Sequence, residues 1–146
     1  MSRASESPVQ LFVNVDVADL ERAVAFYTRG LGLGVRRRVG GEIVELEGAG
    51  APVFLMQQAA GSAPFQGARE KRAYARHWTP VHLDFVVSQL EPAILRAEAA
   101  GAETDGEIRE FAAGRYRVMA DPFGNGFCLL ELEGEGYAAL EAGAVA

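Results

Sequence analysis

The main hydrophobic pattern of the chain occurs twice, about 70 positions apart. Residues 11–27 read LFVNVDVADLERAVAFY, and residues 81–97 read VHLDFVVSQLEPAILRA. In both segments apolar residues first alternate with polar ones, as in a strand with one buried face, and then recur at helical spacing. The pattern predicts a strand followed by a helix in each half of the chain. The repeat predicts two similar halves that face each other across a cleft.

Shorter apolar segments predict three more strands after each helix. These strands are predicted at 35–39, 42–47, 53–57, 107–112, 116–120 and 127–133. Turns separate them, including DPFGNG at 121–126, whose residue types are typical of turns. Each half therefore has the predicted order βαβββ. The predicted boundaries are a first module at 9–58, a connector at 59–79, a second module at 80–133 and a C-terminal tail at 134–146.

Composition and charge argue against several classes of function. The chain has 146 residues, the size of one domain, and 20 acidic against 14 basic residues give a net charge of −6. General nucleic-acid-binding proteins carry a basic surface, so we expect no nucleic-acid partner. No apolar segment approaches the length of a membrane span, and the N-terminal residues show no signal pattern. We therefore expect a cytoplasmic protein that contacts no membrane.

Cys128 is the only cysteine of the chain. A single cysteine forms no internal disulfide and no zinc site built from several cysteines. Because Cys128 lies within the apolar run at 127–130, we predict that it is a buried apolar residue and not a nucleophile.

Three sequence motifs resemble the vicinal oxygen chelate superfamily, which includes glyoxalase I, bleomycin-resistance proteins and extradiol dioxygenases. They are VNVDVADLERAVAFYTRGLGL in the first half and VHLDFVV and DPFGNGFCLLEL in the second. The resemblance implies an α+β fold in which two tandem βαβββ modules form a curved, partly open mixed-sheet barrel with helices outside. It also implies a homodimer in which the sheets of paired modules complete the cavities.

The same resemblance implies where a metal would bind. Metal-dependent members place one ligand early in the first strand and one late in the last strand of each module. The matching positions are Phe12 and Leu55 in the first module, and His82 and Glu131 in the second. Phe12 and Leu55 offer no donor atom, and two donors are too few for a divalent transition metal. We therefore predict no metal cofactor.

The alternative is a divalent metal ion held by His82 and Glu131 together with further ligands. Four polar residues share strand faces with the metal-ligand positions and would supply such ligands if the register differed: Asn14, Asp16, Gln57 and Asp84.

Glu131 lies between Leu130 and Leu132, so a buried carboxylate there needs a partner or a proton, and we expect that partner to be His82.

Aromatic side chains at Phe12, Trp78, Phe111 and Tyr116 either line a cavity and stack on a planar ligand or pack in the core or an interface.

These observations predict a protein that binds a small aromatic or amphipathic organic molecule between its modules without a metal, as bleomycin-resistance proteins do. The predicted ligand-binding residues are Phe12, Asn14, Leu55, Gln57, Trp78, His82, Asp84, Phe111, Tyr116 and Glu131. Two alternatives remain open. One is a metal-dependent lyase, isomerase or dioxygenase, and the other is a metal-free enzyme in which Glu131 or His82 transfers a proton.

Overall fold

Eight strands form two four-stranded sheets, one in each half of the chain. The structure is a computed structural model, and it describes residues 9–141. The strands are β1 Val13–Val17, β2 Gly34–Val39, β3 Ile43–Glu47, β4 Val53–Gln57, β5 Leu83–Val86, β6 Glu103–Phe111, β7 Gly114–Ala120 and β8 Gly126–Leu132. The helices are α1 Leu20–Ala25, which continues as a π-helical turn at Phe26–Gly30, α2 Leu90–Ala99, and a 3-10 helix at Gly136–Leu140.

The two sheets have the same topology. Their strand orders are β1-β4-β3-β2 and β5-β8-β7-β6. In each sheet the first strand pairs in parallel with the last, and the other pairs are antiparallel. The registers also correspond, because Val15 lies opposite Leu55 and Phe85 lies opposite Leu129. The predicted α+β fold of two tandem βαβββ modules with open mixed sheets is confirmed.

The helices pack against one face of the sheets, and this face forms the core. Leu20 and Ala23 of α1 and Leu90 and Ile94 of α2 are buried in one apolar cluster. The same cluster contains inward-facing strand residues from both modules, namely Val15, Val17, Val44, Leu46, Leu55, Phe127 and Leu129. Burial of this continuous apolar surface stabilises both modules together. Within the described residues, no helix has the length and apolar character needed to cross a membrane.

Two elements differ from the prediction. The helix of the first module leaves the α-helical path at Phe26, where the Thr28 hydroxyl donates to the Val24 carbonyl at 2.7 Å. Such a side-chain bond to the backbone competes with the regular helix pattern. The strand predicted at 107–112 begins earlier, at Glu103, because it pairs with the whole length of β7 across a register shift. Residues 142–146 of the predicted tail lie outside the described residues.

A buried carboxylate at the β7–β8 turn joins the two modules. Asp121 is 2% exposed and accepts four hydrogen bonds. Two come from the backbone N–H groups of Phe123 at 2.8 Å and Asn125 at 3.0 Å, and one comes from the Asn125 side chain at 2.9 Å. The fourth comes from the hydroxyl of Tyr27 in the first module at 2.7 Å. Burial and the Asp121 charge raise the pKa of Tyr27 well above its ordinary value, so this hydroxyl stays protonated and donates.

Candidate ligand-binding site

The face of the second sheet opposite α2 lines an open cavity of about 480 Å³. Strand alternation determines which residues face it, because Asp84 lies opposite Cys128, Val118 opposite Cys128, and Tyr116 opposite Leu130. Trp78 and His82, which precede β5, also border this cavity, as do Phe111 and Tyr137. We call it the aromatic cavity. It is lined by Trp78, His82, Asp84, Phe111, Tyr116, Val118, Cys128, Leu130 and Tyr137.

Aromatic rings form much of the cavity wall. Phe111 contacts Tyr116 with ring centroids 5.8 Å apart and Tyr137 with centroids 6.0 Å apart. Trp78 lies against the His82 ring at 4.7 Å and remains 48% exposed. Sequence reasoning missed Tyr137, which lies on the 3-10 helix after β8. The available signal was an aromatic residue among small and acidic ones in the predicted tail.

The polar part of the cavity consists of His82, Asp84 and Cys128. His82 Nε2 lies 3.1 Å from Asp84 Oδ1. Burial, the Asp84 charge and a hydrogen bond to Asp84 raise the pKa of the Cys128 thiol to about 11. At neutral pH the thiol is therefore protonated and donates to the carboxylate. Asp84 thus accepts from the thiol and lies within hydrogen-bonding distance of the imidazole.

The same three residues could hold a metal ion. One donor atom from each of His82, Asp84 and Cys128 lies within 4.8 Å of the other two. Imidazole, carboxylate and thiolate are ligands that zinc accepts, and catalytic zinc sites use three protein ligands and leave one position open. The donor set fits such an ion, so the prediction of no metal cofactor is not confirmed. Cys128 is buried as predicted, but its sulfur faces this cluster.

The first module carries aromatic rings at the corresponding positions. Asn14 lies opposite Phe54, as Asp84 lies opposite Cys128. The rings of Phe12 and Phe54 contact each other, with centroids 5.3 Å apart. Only the Asn14 amide could offer a donor atom among these three residues. The capacity to hold a cation on this face therefore differs between the modules.

Glu131 lies on the opposite face of its sheet from the aromatic cavity. Its Oε2 accepts from the backbone N–H of Leu90, the first residue of α2, at 2.7 Å. Its Oε1 accepts from the Arg115 guanidinium at 2.9 Å. The Leu90 N–H and then Arg115 lower the pKa of Glu131, so the carboxylate stays ionised. The predicted His82–Glu131 pair is therefore wrong, and His82 pairs with Asp84 instead.

Gln57 has the same structural position in the first module. Its Oε1 accepts from the backbone N–H of Leu20, the first residue of α1, at 2.8 Å. Both side chains thus accept from a backbone N–H in the first turn of a helix, where no carbonyl of the same helix can accept. Gln57, and not Leu55, is the counterpart of Glu131, so the predicted match between the last strands of the two modules is wrong by two residues. Leu55 is wholly buried in the core.

The structure brings some of the predicted ligand-binding residues together. Trp78, His82, Asp84, Phe111 and Tyr116 meet in the aromatic cavity. Asn14 and His82 both line a groove of about 230 Å³ between β1 and the second module. Phe12 borders a separate cavity of about 520 Å³ on the first module. Leu55, Gln57 and Glu131 line none of these cavities.

Comparison with solved structures gives the class of protein that this fold represents. A glyoxalase-related enzyme from Fulvimarina pelagi has a TM-score of 0.67 at 18% identity, covering 86% of this chain and 88% of that one. A glyoxalase/bleomycin resistance protein/dioxygenase from Nocardioides has a TM-score of 0.61 at 23% identity, covering 90% and 88%. A mutant of the fosfomycin resistance protein FosX from Listeria monocytogenes, complexed with Mn(II) and 1S,2S-dihydroxypropylphosphonic acid, has a TM-score of 0.63 at 18% identity, covering 85% and 90%. These similarities show a shared fold, which is that of the vicinal oxygen chelate superfamily.

A family model gives the more specific assignment. The glyoxalase-like domain model matches residues 12–130, which include both modules. No curated protein matches the sequence. The chain therefore belongs to the glyoxalase-like domain family of the vicinal oxygen chelate superfamily.

Proposed function

We propose that this protein binds a small aromatic or amphipathic organic molecule in the aromatic cavity. One observation carries this proposal: four aromatic side chains surround the same open space. They are Trp78, Phe111, Tyr116 and Tyr137. A volume of about 480 Å³ lies within the range of small-molecule sites. Aromatic side chains there offer large contact areas and lose little conformational entropy when a flat ligand binds.

Trp78 provides a direct test because it is the only tryptophan of the chain. We expect 3-tert-butylphenol, a neutral amphipathic probe, to quench Trp78 fluorescence saturably, with a dissociation constant of about 1 mM or below. Tyr116→Ala removes one wall and is expected to weaken binding about tenfold. Isothermal titration calorimetry gives the same constant without relying on fluorescence.

Phe65→Ala is the matched control for Tyr116→Ala. Phe65 is an aromatic residue of the connector, is 68% exposed and lines none of the cavities described above. We expect this variant to bind the probe as the unchanged protein does. No saturable binding, or equal loss in both variants, would contradict the proposal.

Sequestration of a toxic aromatic compound is the biological role that we propose for such binding. The homodimer and the cytoplasmic location stay predictions. The first module offers a surface on which a second copy could pack, because Leu11 and Phe12 are 69% and 53% exposed there. Apolar surface of this kind is common at interfaces between copies of a chain.

A second candidate function is a metal-dependent enzyme, and the cluster of His82, Asp84 and Cys128 favours it. In this case the three residues hold a divalent metal, which supplies Lewis-acid chemistry to a bound substrate. The Mn(II) complex of FosX belongs to a protein with the same fold, and it is consistent with this proposal without establishing it.

Cobalt binding tests this candidate without an assay of activity. If the cluster holds a metal, EDTA-treated protein is expected to bind about one Co²⁺ per chain and to show a thiolate-to-cobalt charge-transfer band. Cys128→Ser is expected to abolish the band, and His82→Ala, which removes one of the three ligands, to weaken binding by at least about 100-fold. Asp105→Asn, which changes a carboxylate outside the cluster, serves as the control. No stoichiometric binding, or a band that persists in Cys128→Ser, would exclude this site.

A further inference from the structure

We infer that the ligand of the aromatic cavity is an organic cation, a quaternary or protonated amine attached to an apolar or aromatic body. This inference rests on the proposed function and adds the charge of the ligand. Three features of the cavity lead to it: the sign of its charge, the absence of lysine and arginine among its described lining residues and the chemistry of its rings.

The charge of the cavity comes from Asp84. Among the described residues that line the cavity it is the only carboxylate, and its side chain is 42% exposed. No lysine or arginine that the structure describes lines the cavity. The neighbours of Asp84 are Cys128, which lies opposite it on β8, and the His82 imidazole at 3.1 Å. An anionic ligand would therefore meet a carboxylate without a guanidinium or ammonium group to attract it.

Three arginines close to cavity residues are held by groups outside the cavity. Arg76, whose guanidinium lies together with the Trp78 ring against Gly126, forms an ion pair with Asp105. Arg115 and Arg117 flank Tyr116 on β7, and strand alternation directs their side chains away from it. Arg115 forms ion pairs with Glu91 and Glu131. Arg117 donates to the carbonyl of Gly106 at 2.9 Å. None of the three arginines is available to neutralise Asp84 or to bind an anionic ligand there.

The rings supply the second attraction for a cation. The face of an aromatic ring carries partial negative charge, and tryptophan attracts cations most strongly. Trp78 is 48% exposed and Tyr137 is 55% exposed at the cavity rim. Aromatic walls next to one carboxylate recognise alkylated ammonium groups, because the rings replace water around the methyl groups while the carboxylate balances the charge.

A pair of isosteric probes tests the charge of the ligand. In EDTA-treated protein at about pH 7, where the phenol groups of both probes are mostly protonated, we expect 3-(trimethylammonio)phenol to bind at least about tenfold more tightly than 3-tert-butylphenol, measured by calorimetry. The two probes have the same shape and differ in one charge. Asp84→Asn is expected to remove most of the preference, so that the affinities of the two probes become similar. Glu98→Gln, which changes an exposed carboxylate on α2 at the other face of the sheet, is expected to keep the full preference.

The outcomes separate the inference from the proposed function. Equal affinity for the two probes, or tighter binding of 3-hydroxybenzoate than of either, overturns the inference and leaves the proposed function intact. A cation preference that persists in Asp84→Asn also overturns it. If none of the three probes binds, the proposed function itself fails.

Discussion

Asp121→Ala is expected to lower the free energy of unfolding by about 3–5 kcal/mol. The carboxylate is 2% exposed and accepts hydrogen bonds from Tyr27, Phe123 and Asn125. Its removal leaves these donors without their partner at a site that water hardly reaches, and an unpaired buried donor costs about 1–3 kcal/mol. The loss affects both modules, because Tyr27 belongs to the first and the β7–β8 turn to the second.

Urea unfolding monitored by circular dichroism measures this effect as a change in transition midpoint. Tyr27→Phe removes one of the four hydrogen bonds and is expected to cost about 1–3 kcal/mol. Asp105→Ala is the control, because its carboxylate is 54% exposed and is paired with Arg76, and exposed ion pairs contribute about 0–1 kcal/mol. An Asp121→Ala variant as stable as the control would show that the turn is held by other contacts.

The fold could be predicted because its information is local and occurs twice. The alternation around Val13–Val17 and the helical spacing after Leu20 each specify an element without knowledge of the rest of the chain. The repetition of this pattern in the second half gave the symmetry of the sheets. The π-helical turn at Phe26–Gly30 could not be predicted in this way, because the apolar spacing of Leu20, Tyr27 and Leu31 is that of one continuous α-helix.

The site could be predicted only in part, and β8 shows why. Its segment Phe127–Leu130 is apolar at every position, so alternation shows which residues share a face but not which face is the core. Cys128 and Leu130 line the aromatic cavity, whereas Phe127 and Leu129 lie in the core. Glu131 continues the alternation of Phe127 and Leu129, so its side chain lies on the face of the sheet that packs against α2. The two-residue spacing placed Asp84 on the same strand face as His82, but it did not show whether His82 pairs with Asp84 or with Glu131.

Gly126→Ala is expected to weaken ligand binding by about 10- to 100-fold while the protein stays folded. A Cβ atom at this position would lie 2.9 Å from Cζ3 of Trp78 and 3.1 Å from Nη1 of Arg76. The indole therefore has to leave its place beside His82, and the aromatic cavity loses one wall. Because the obstructing group is a half-exposed side chain, it can move without disrupting the core. Gly126 thus positions a ligand-binding residue although it is not itself one of the residues that line the aromatic cavity.

Calorimetry with whichever of the two phenols binds more tightly measures the change in affinity. The displaced indole is also expected to shift Trp78 emission to longer wavelength in ligand-free protein, because the ring enters water. Gly41→Ala is the matched control, since no atom lies within 4 Å of an added Cβ and the backbone there has no positive φ. If Gly126→Ala keeps both the affinity and the emission maximum of the control, Trp78 does not form the wall of the binding site. A loss of affinity together with the emission shift would instead tie binding to the position of this one ring.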